Sequence, residues 1–115
     1  STLMYIIAVK PMGWMVRRSF EEFKSLRDFL TKQFPYMIVP PLPAKITLGN
    51  PTLEDVAHRK LLFKRFLTNC LEYREIVANR FFEGFLRYDK SFEKQWKDMK
   101  NEMEKIKKPP KFENQ

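Results

Sequence analysis

Apolar positions follow two different periods along this chain, and the switch between them comes at Ser19. Leu3 to Lys10 is rich in β-branched and aromatic residues and predicts a strand. Pro11, Met12 and Gly13 supply turn chemistry, and Trp14 to Arg18 predicts a second strand that closes a hairpin. Two strands alone are marginal in water, so a helical cover or a further strand is expected. After Ser19, Phe20, Phe23, Leu26 and Leu30 fall three or four apart, with Phe29 beside them, while Glu21, Lys24, Arg27 and Asp28 take the water-facing positions. Ser19 followed by Glu22 matches a capping box, in which each side chain satisfies a free backbone N–H at the helix start. Phe34-Pro35 ends this helix, because proline disfavours α geometry in the residue before it.

Prolines 35, 40, 41 and 43 form an extended connector that presents Lys45 and then the run from Ile46 to Pro51. Thr52 is placed to cap a second helix reaching about Leu71. Val56, Phe63, Phe66, Leu67 and Cys70 face inward in that helix, and Arg59, Lys60, Lys64 and Arg65 lie outside or at its edge. One turn separates Arg59 from Phe63, so its side chain is aimed at the rim of the core. A third, short helical region carries Ile76, Phe81, Phe82, Phe85 and Leu86. From Ser91 to Lys107, Phe92, Trp96, Met99, Met103 and Ile106 are spaced four, three, four and three, a heptad seam that Pro109 and Pro110 stop. The pattern predicts an α+β fold, a small antiparallel sheet of two to three strands packed on three to four helices. Residues 1–90 form the domain, 91–108 an amphipathic heptad helix, and 109–115 a tail or linker.

Composition agrees with one folded domain: 115 residues, 43% hydrophobic and 15% aromatic, with phenylalanine alone occurring 11 times. No apolar run approaches the roughly 20 residues that span a bilayer, and the opening residues lack the pattern of a secretory signal, so a peripheral, cytoplasmic protein is expected. Cys70 is the single cysteine, and its apolar neighbours predict a small buried hydrophobe rather than a disulfide or metal ligand. The net charge of +8 calls for an anionic partner: a phospholipid surface, nucleic acid or an acidic protein. Residues 91–115 hold 7 basic and 5 acidic side chains, which leaves 15 minus 9, or +6, on residues 1–90.

The inventory for catalysis is thin. His58 stands alone among histidines without a metal-ligand or catalytic spacing, and Gly13, Gly49 and Gly84 are too scattered for a phosphate loop. No enzyme, cofactor or metal site is expected. Nucleic acid is disfavoured because most aromatics sit at core spacings rather than in an exposed stacking array. The proline run is a spacer before a fold-defining helix more readily than a docking peptide. What remains is a cationic pocket, formed if the fold brings the Trp14 to Arg18 strand beside the proline loop and Lys45.

The order of these parts resembles the phox homology (PX) domain of the sorting nexins. The resemblance covers roughly Leu3 to Asp89. It rests on the hairpin, the Arg and aromatic strand-to-helix junction, Phe34-Pro35 with Val39-Pro40-Pro41-Leu42-Pro43-Ala44-Lys45, and a helix carrying Arg59, Lys60, Phe63, Phe66 and Leu67. It implies a pocket for a phosphoinositide headgroup. Phe20 would stack on the inositol ring, Lys45 would meet the 1-phosphate, and Arg59 would bind ring hydroxyls. The arginine that such domains use for the 3-phosphate belongs at Ser19, and Arg18 is one residue early, so strand alternation points Arg18 away unless the strand bulges. Ser19 therefore marks a degenerate 3-phosphate position or a simple helix cap, with Arg18 kept as a candidate ligand. Ile46 and Leu48 lie where the family's loop dips into the bilayer, or they pack under the second helix.

The expected function is a non-catalytic membrane-trafficking module, peripheral on endosomal membranes, with weak or altered phosphoinositide binding. Its protein partners would be other sorting nexins or retromer-type trafficking proteins. The alternatives are a full phosphatidylinositol 3-phosphate receptor and a purely protein-interaction module. The heptad helix suits a protein partner, or the approach to a BAR domain of the kind some sorting nexins carry. Its lysines at 94, 97, 100, 105 and 107 would also suit a membrane surface.

Overall fold

A computed structural model of the chain describes residues 3–39, 41–42, 52–89 and 92–107. Two strands, β1 (Met4–Val9) and β2 (Trp14–Ser19), form an antiparallel hairpin in which Tyr5 faces Arg18, Ile7 faces Val16 and Val9 faces Trp14. Gly13 makes the turn with φ of +76°, a left-handed conformation that glycine adopts without strain, and its N–H donates to the Val9 carbonyl at 2.9 Å. Alternation sets the two faces: Tyr5, Val16 and Arg18 are buried, whereas Met4, Ile6 and Met15 are exposed.

The chain turns directly from β2 into α1 (Phe20–Gln33), then runs through α2 (Leu53–Cys70), α3 (Arg74–Val77), α4 (Arg80–Arg87) and α5 (Phe92–Lys107). The expected cover for the hairpin is therefore helical. Both long helices start at capping boxes, Ser19 with Glu22 and Thr52 with Asp55. The short helical region expected to carry Ile76, Phe81, Phe82, Phe85 and Leu86 is divided in the structure into two helices. Asn79 causes the division by capping α4, its Oδ1 accepting N–H groups of Phe81 at 2.9 Å and Phe82 at 3.2 Å.

Aromatic rings knit these elements together. Phe63 of α2 stacks on Phe23 of α1 at 4.0 Å between centroids and meets Tyr5 edge-on at 4.8 Å; Phe23 in turn meets Phe85 of α4 at 5.0 Å. The element α5 packs on α1 and α4 through Met99, which is fully buried. Gly84 of α4 lies against the Gln95 side chain of α5: a Cβ built there would fall 1.5 Å from Gln95 Oε1. A helix-interior glycine costs about 1 kcal/mol relative to alanine, and here the bare backbone leaves room for the Gln95 amide. The heptad seam is thus used, at Met99, inside the chain itself. Structural statements about Phe92, Trp96, Met103 and Ile106 lie outside the described side chains.

The buried guanidinium of Arg18 fastens β2 to the end of α4. Its Nε donates to the Phe85 carbonyl at 2.9 Å, Nη2 donates to the carbonyls of Gly84 at 3.3 Å and of Tyr88, and Nη1 donates to the Arg17 carbonyl at 2.9 Å. The Gly84, Phe85 and Tyr88 carbonyls belong to the last turn and cap of α4, where the partial negative charge of the helix dipole favours a cation. The guanidinium also lies 5.1 Å from the centre of the Phe85 ring. Burial pulls its pKa below the ordinary arginine value, with Glu22 and Asp89 opposing that shift. Next to it, Arg17 pairs with Asp89 at 3.0 Å across the surface.

Arg18→Met keeps an apolar stem but removes the donors from the α4 carbonyls. We expect it to lower unfolding stability by on the order of 3 kcal/mol, read as a lower urea midpoint at unchanged slope. Burial pushes the Cys70 thiol up to about 12, so a thiol reagent at neutral pH should label it only as fast as the protein unfolds. Labelling at the rate of a free thiol would contradict this packing.

Candidate phosphoinositide site

Ser19 is both the last residue of β2 and the N-cap of α1. Its Oγ accepts the Glu22 N–H at 3.2 Å, while its own N–H donates to Glu22 Oε1 at 2.7 Å. The side chain is buried and engaged in starting the helix. At the position where the resemblance called for a phosphate-binding arginine, the chain has a helix cap.

Phe20 follows at the first turn of α1. Its half-buried ring packs edge-on against Phe63 at 5.9 Å, and the Arg59 guanidinium stands 6.0 Å from its centre. Arg59 reaches this place from α2 because it lies one turn before Phe63, on the edge of the buried face. One turn earlier still, Asp55 is held below the usual carboxylate range by hydrogen bonds from Thr52 at the cap, with the Arg59 charge adding to the effect. Phe20 and Arg59 are therefore neighbours, as a ring-and-cation site requires.

An open hollow of about 400 Å³ lies beside Phe20, lined by Glu21, Lys24, Arg27 and Asp28 of α1 and by Pro41 and Leu42. Arg27 Nη2 donates to the Val39 carbonyl at 3.4 Å and so ties the start of the proline segment to α1. Lys24 and Arg27, assigned only to solvent from the sequence, share one helical stripe with Phe20 at i+4 and i+7. That spacing was legible and passed over, because the cations looked like an ordinary wet face. Arg18 is not part of this lining; its guanidinium is turned inward and engaged with carbonyls of α4. Lys45, Ile46 and Leu48 fall outside the described residues. On either side of that stretch, Ile38 is 85% and Leu53 90% exposed, with Tyr36 also turned to solvent.

The arrangement offers a ring face, cations of graded exposure and no nucleophile paired with a base. Among the described residues no group of three or more His, Cys, Asp or Glu is placed to hold a metal ion, and no helix is long and apolar enough to cross a membrane.

Comparison with known proteins assigns the family. A PX domain family model matches residues 10–89. The chain is similar to sorting nexin-41 of Kluyveromyces lactis, at 37% identity over 64% of this chain, and to sorting nexin-41 of Saccharomyces cerevisiae, at 35% identity over 71%. It is also similar to autophagy-related protein 20 of Gibberella zeae, at 38% identity over 69% of this chain. The chain spans only 14% of the length of either sorting nexin and 15% of the third relative. With β2, the capped junction and α1 to α4 all inside the matched region, the chain belongs to the PX domain family.

Proposed function

We propose that this PX domain is a non-catalytic recruitment module of a sorting-nexin-type protein, holding it on anionic endosomal membrane and contributing to trafficking complexes. Headgroup recognition is weak and centred on Phe20 and Arg59, with Lys45 as the 1-phosphate ligand. The observation that carries this reading is the pairing of an intact ring-and-guanidinium couple, 6.0 Å apart, with a serine consumed by its own helix cap. A hydrogen bond to a charged group contributes about 1.5–3 kcal/mol, so lacking the 3-phosphate arginine weakens binding roughly tenfold to a hundredfold. Lys24 supplies additional positive charge beside the site. Ile46 and Leu48, together with exposed Ile38 and Leu53, provide apolar side chains for shallow insertion, each worth about 1.5–3 kcal/mol when buried in the acyl boundary.

Two experiments test this reading. In liposome co-sedimentation, phosphatidylinositol 3-phosphate should improve binding only modestly over phosphatidylserine at equal charge. Most of the binding should disappear as salt rises from about 0.1 M to 1 M, where the screening length falls from about 10 Å to 3 Å. Tight, salt-resistant binding would mean a complete 3-phosphate site, and no binding at either salt would leave a protein-interaction module. Ser19→Arg should raise affinity for 3-phosphoinositide liposomes about tenfold while lowering stability by about 1 kcal/mol through the lost cap. A stability loss without any gain in affinity would misplace the pocket.

A further inference from the structure

A serine or threonine followed three residues later by a carboxylate occurs at three places among the described residues: Ser19 before Glu22, Ser25 before Asp28, and Thr52 before Asp55. The fold separates them. Ser19 is buried within its cap, and half-buried Ser25 lies inside α1 with the cation Arg27 between it and Asp28. Thr52, Leu53, Glu54 and Asp55 are instead all exposed, Leu53 at 90%. Thr52 is itself extended, with φ of −76° and ψ of 168°, as a peptide lies in an enzyme's substrate cleft. An exposed hydroxyl with two carboxylates just downstream suits a kinase whose substrate groove is basic.

The same threonine belongs to the stripe of α2 that leads to the headgroup site. Thr52, Asp55 and Arg59 are spaced three and four residues apart, so they follow one another up one face of the helix. Hydrogen bonds from Thr52, and then the Arg59 charge, hold the Asp55 carboxyl below its usual range, so the three already interact. Arg59 in turn stands 6.0 Å from the centre of the Phe20 ring. A phosphoryl group on Thr52 would bring a charge of about −1.5 to −2 at pH 7. It would sit two helical turns from Arg59, about 10 Å along the axis, which is comparable with the screening length at about 0.1 M salt. Its oxygens can accept the Asp55 N–H that Thr52 Oγ accepts at 3.1 Å, so α2 would keep a capping acceptor.

We propose that Thr52 is a phosphorylation site for an acidophilic serine/threonine kinase, and that its modification releases the domain from anionic membrane. The release rests on the lipid-binding reading given above. Thr52 Oγ attacks the γ-phosphorus of a nucleoside triphosphate and forms the new P–O bond. The bond from that phosphorus to the β,γ-bridging oxygen breaks, the nucleoside diphosphate leaves, and the hydroxyl proton passes to the kinase's base. The added charge opposes headgroup capture beside Arg59 and repels an anionic lipid surface next to exposed Leu53.

The test incubates the folded chain with magnesium ATP and an acidophilic kinase of the casein-kinase type, beside a basophilic kinase. Mass spectrometry should place a single phosphoryl group on Thr52 with the acidophilic enzyme alone. Thr52→Ala should abolish it, and Asp55→Asn, which keeps an oxygen for the Thr52 N–H, should slow it about tenfold. The phosphorylated protein should bind phosphatidylcholine vesicles carrying phosphatidylserine and phosphatidylinositol 3-phosphate about fivefold more weakly at about 0.1 M salt, with the difference shrinking as salt rises. Phosphatase should restore binding, and Thr52→Ala, which adds no charge, should bind as the unmodified protein does. Incorporation elsewhere or not at all, or unchanged vesicle binding once Thr52 is modified, would overturn the proposal. So would a lowered melting temperature with a loss of binding that salt does not alter, which would assign the effect to a broken helix cap. Failure of the unmodified protein to bind these vesicles would contradict the membrane reading, and the switch with it, whatever the kinase does.

Discussion

One buried arginine decides how the sheet meets the helices. Arg18 stands on the inward face of β2 with Val16, and its guanidinium gathers the carbonyls that end α4. A charge in a core costs several kcal/mol unless hydrogen bonds and opposite partial charge surround it, and the end of a helix supplies both. The next residue is Ser19, so the clamp also fixes where α1 starts and where Phe20 points. A one-residue change in register would move Arg18 to the solvent face, leave the end of α4 uncapped and swing Phe20 away from Phe63.

On the proposed reading, the same junction limits headgroup binding. A helix start needs an acceptor for its free N–H groups, and Ser19 provides it within a reciprocal pair with Glu22. A strong phosphate grip needs a guanidinium at that place. One side chain cannot supply both, and the arginine beside it is already structural. The ring of Phe20 and the guanidinium of Arg59 persist, held by contacts with Phe63 and by the α2 scaffold. On the proposed reading, the site keeps its ring and one guanidinium while Ser19, at the 3-phosphate position, serves the start of α1.

Much of this was legible in the amino-acid pattern. The hairpin followed from β-branched runs around a Pro-Met-Gly turn, α1 and α2 from their stripes and capping residues, and the burial of Cys70 from its apolar neighbours. Other features were hidden for identifiable reasons. Asn79 looks unremarkable between apolar residues, yet its side chain separates α3 from α4. A heptad seam reads the same whether its partner is another protein or the same chain, and the structure packs α5 on α1 and α4 with Met99 buried between them. Alternation turned Arg18 away from the expected pocket, but a long cationic side chain there reads as solvent-facing, and its burial against the end of α4 shows only in the structure. The stretch holding Lys45, Ile46 and Leu48 lies outside the described residues, so those assignments rest on the family pattern.

The most direct measurement follows the arginine Nε–H signals by NMR while a soluble inositol 1,3-bisphosphate headgroup is titrated in. The Arg59 signal and the Phe20 ring resonances should shift together, with weak saturation, while the Arg18 signal stays where it is at every concentration. A shift of Arg18 that saturates with the headgroup would mean that its guanidinium leaves the end of α4 to bind phosphate, and would contradict the division of labour between Arg18 and the Phe20–Arg59 pair.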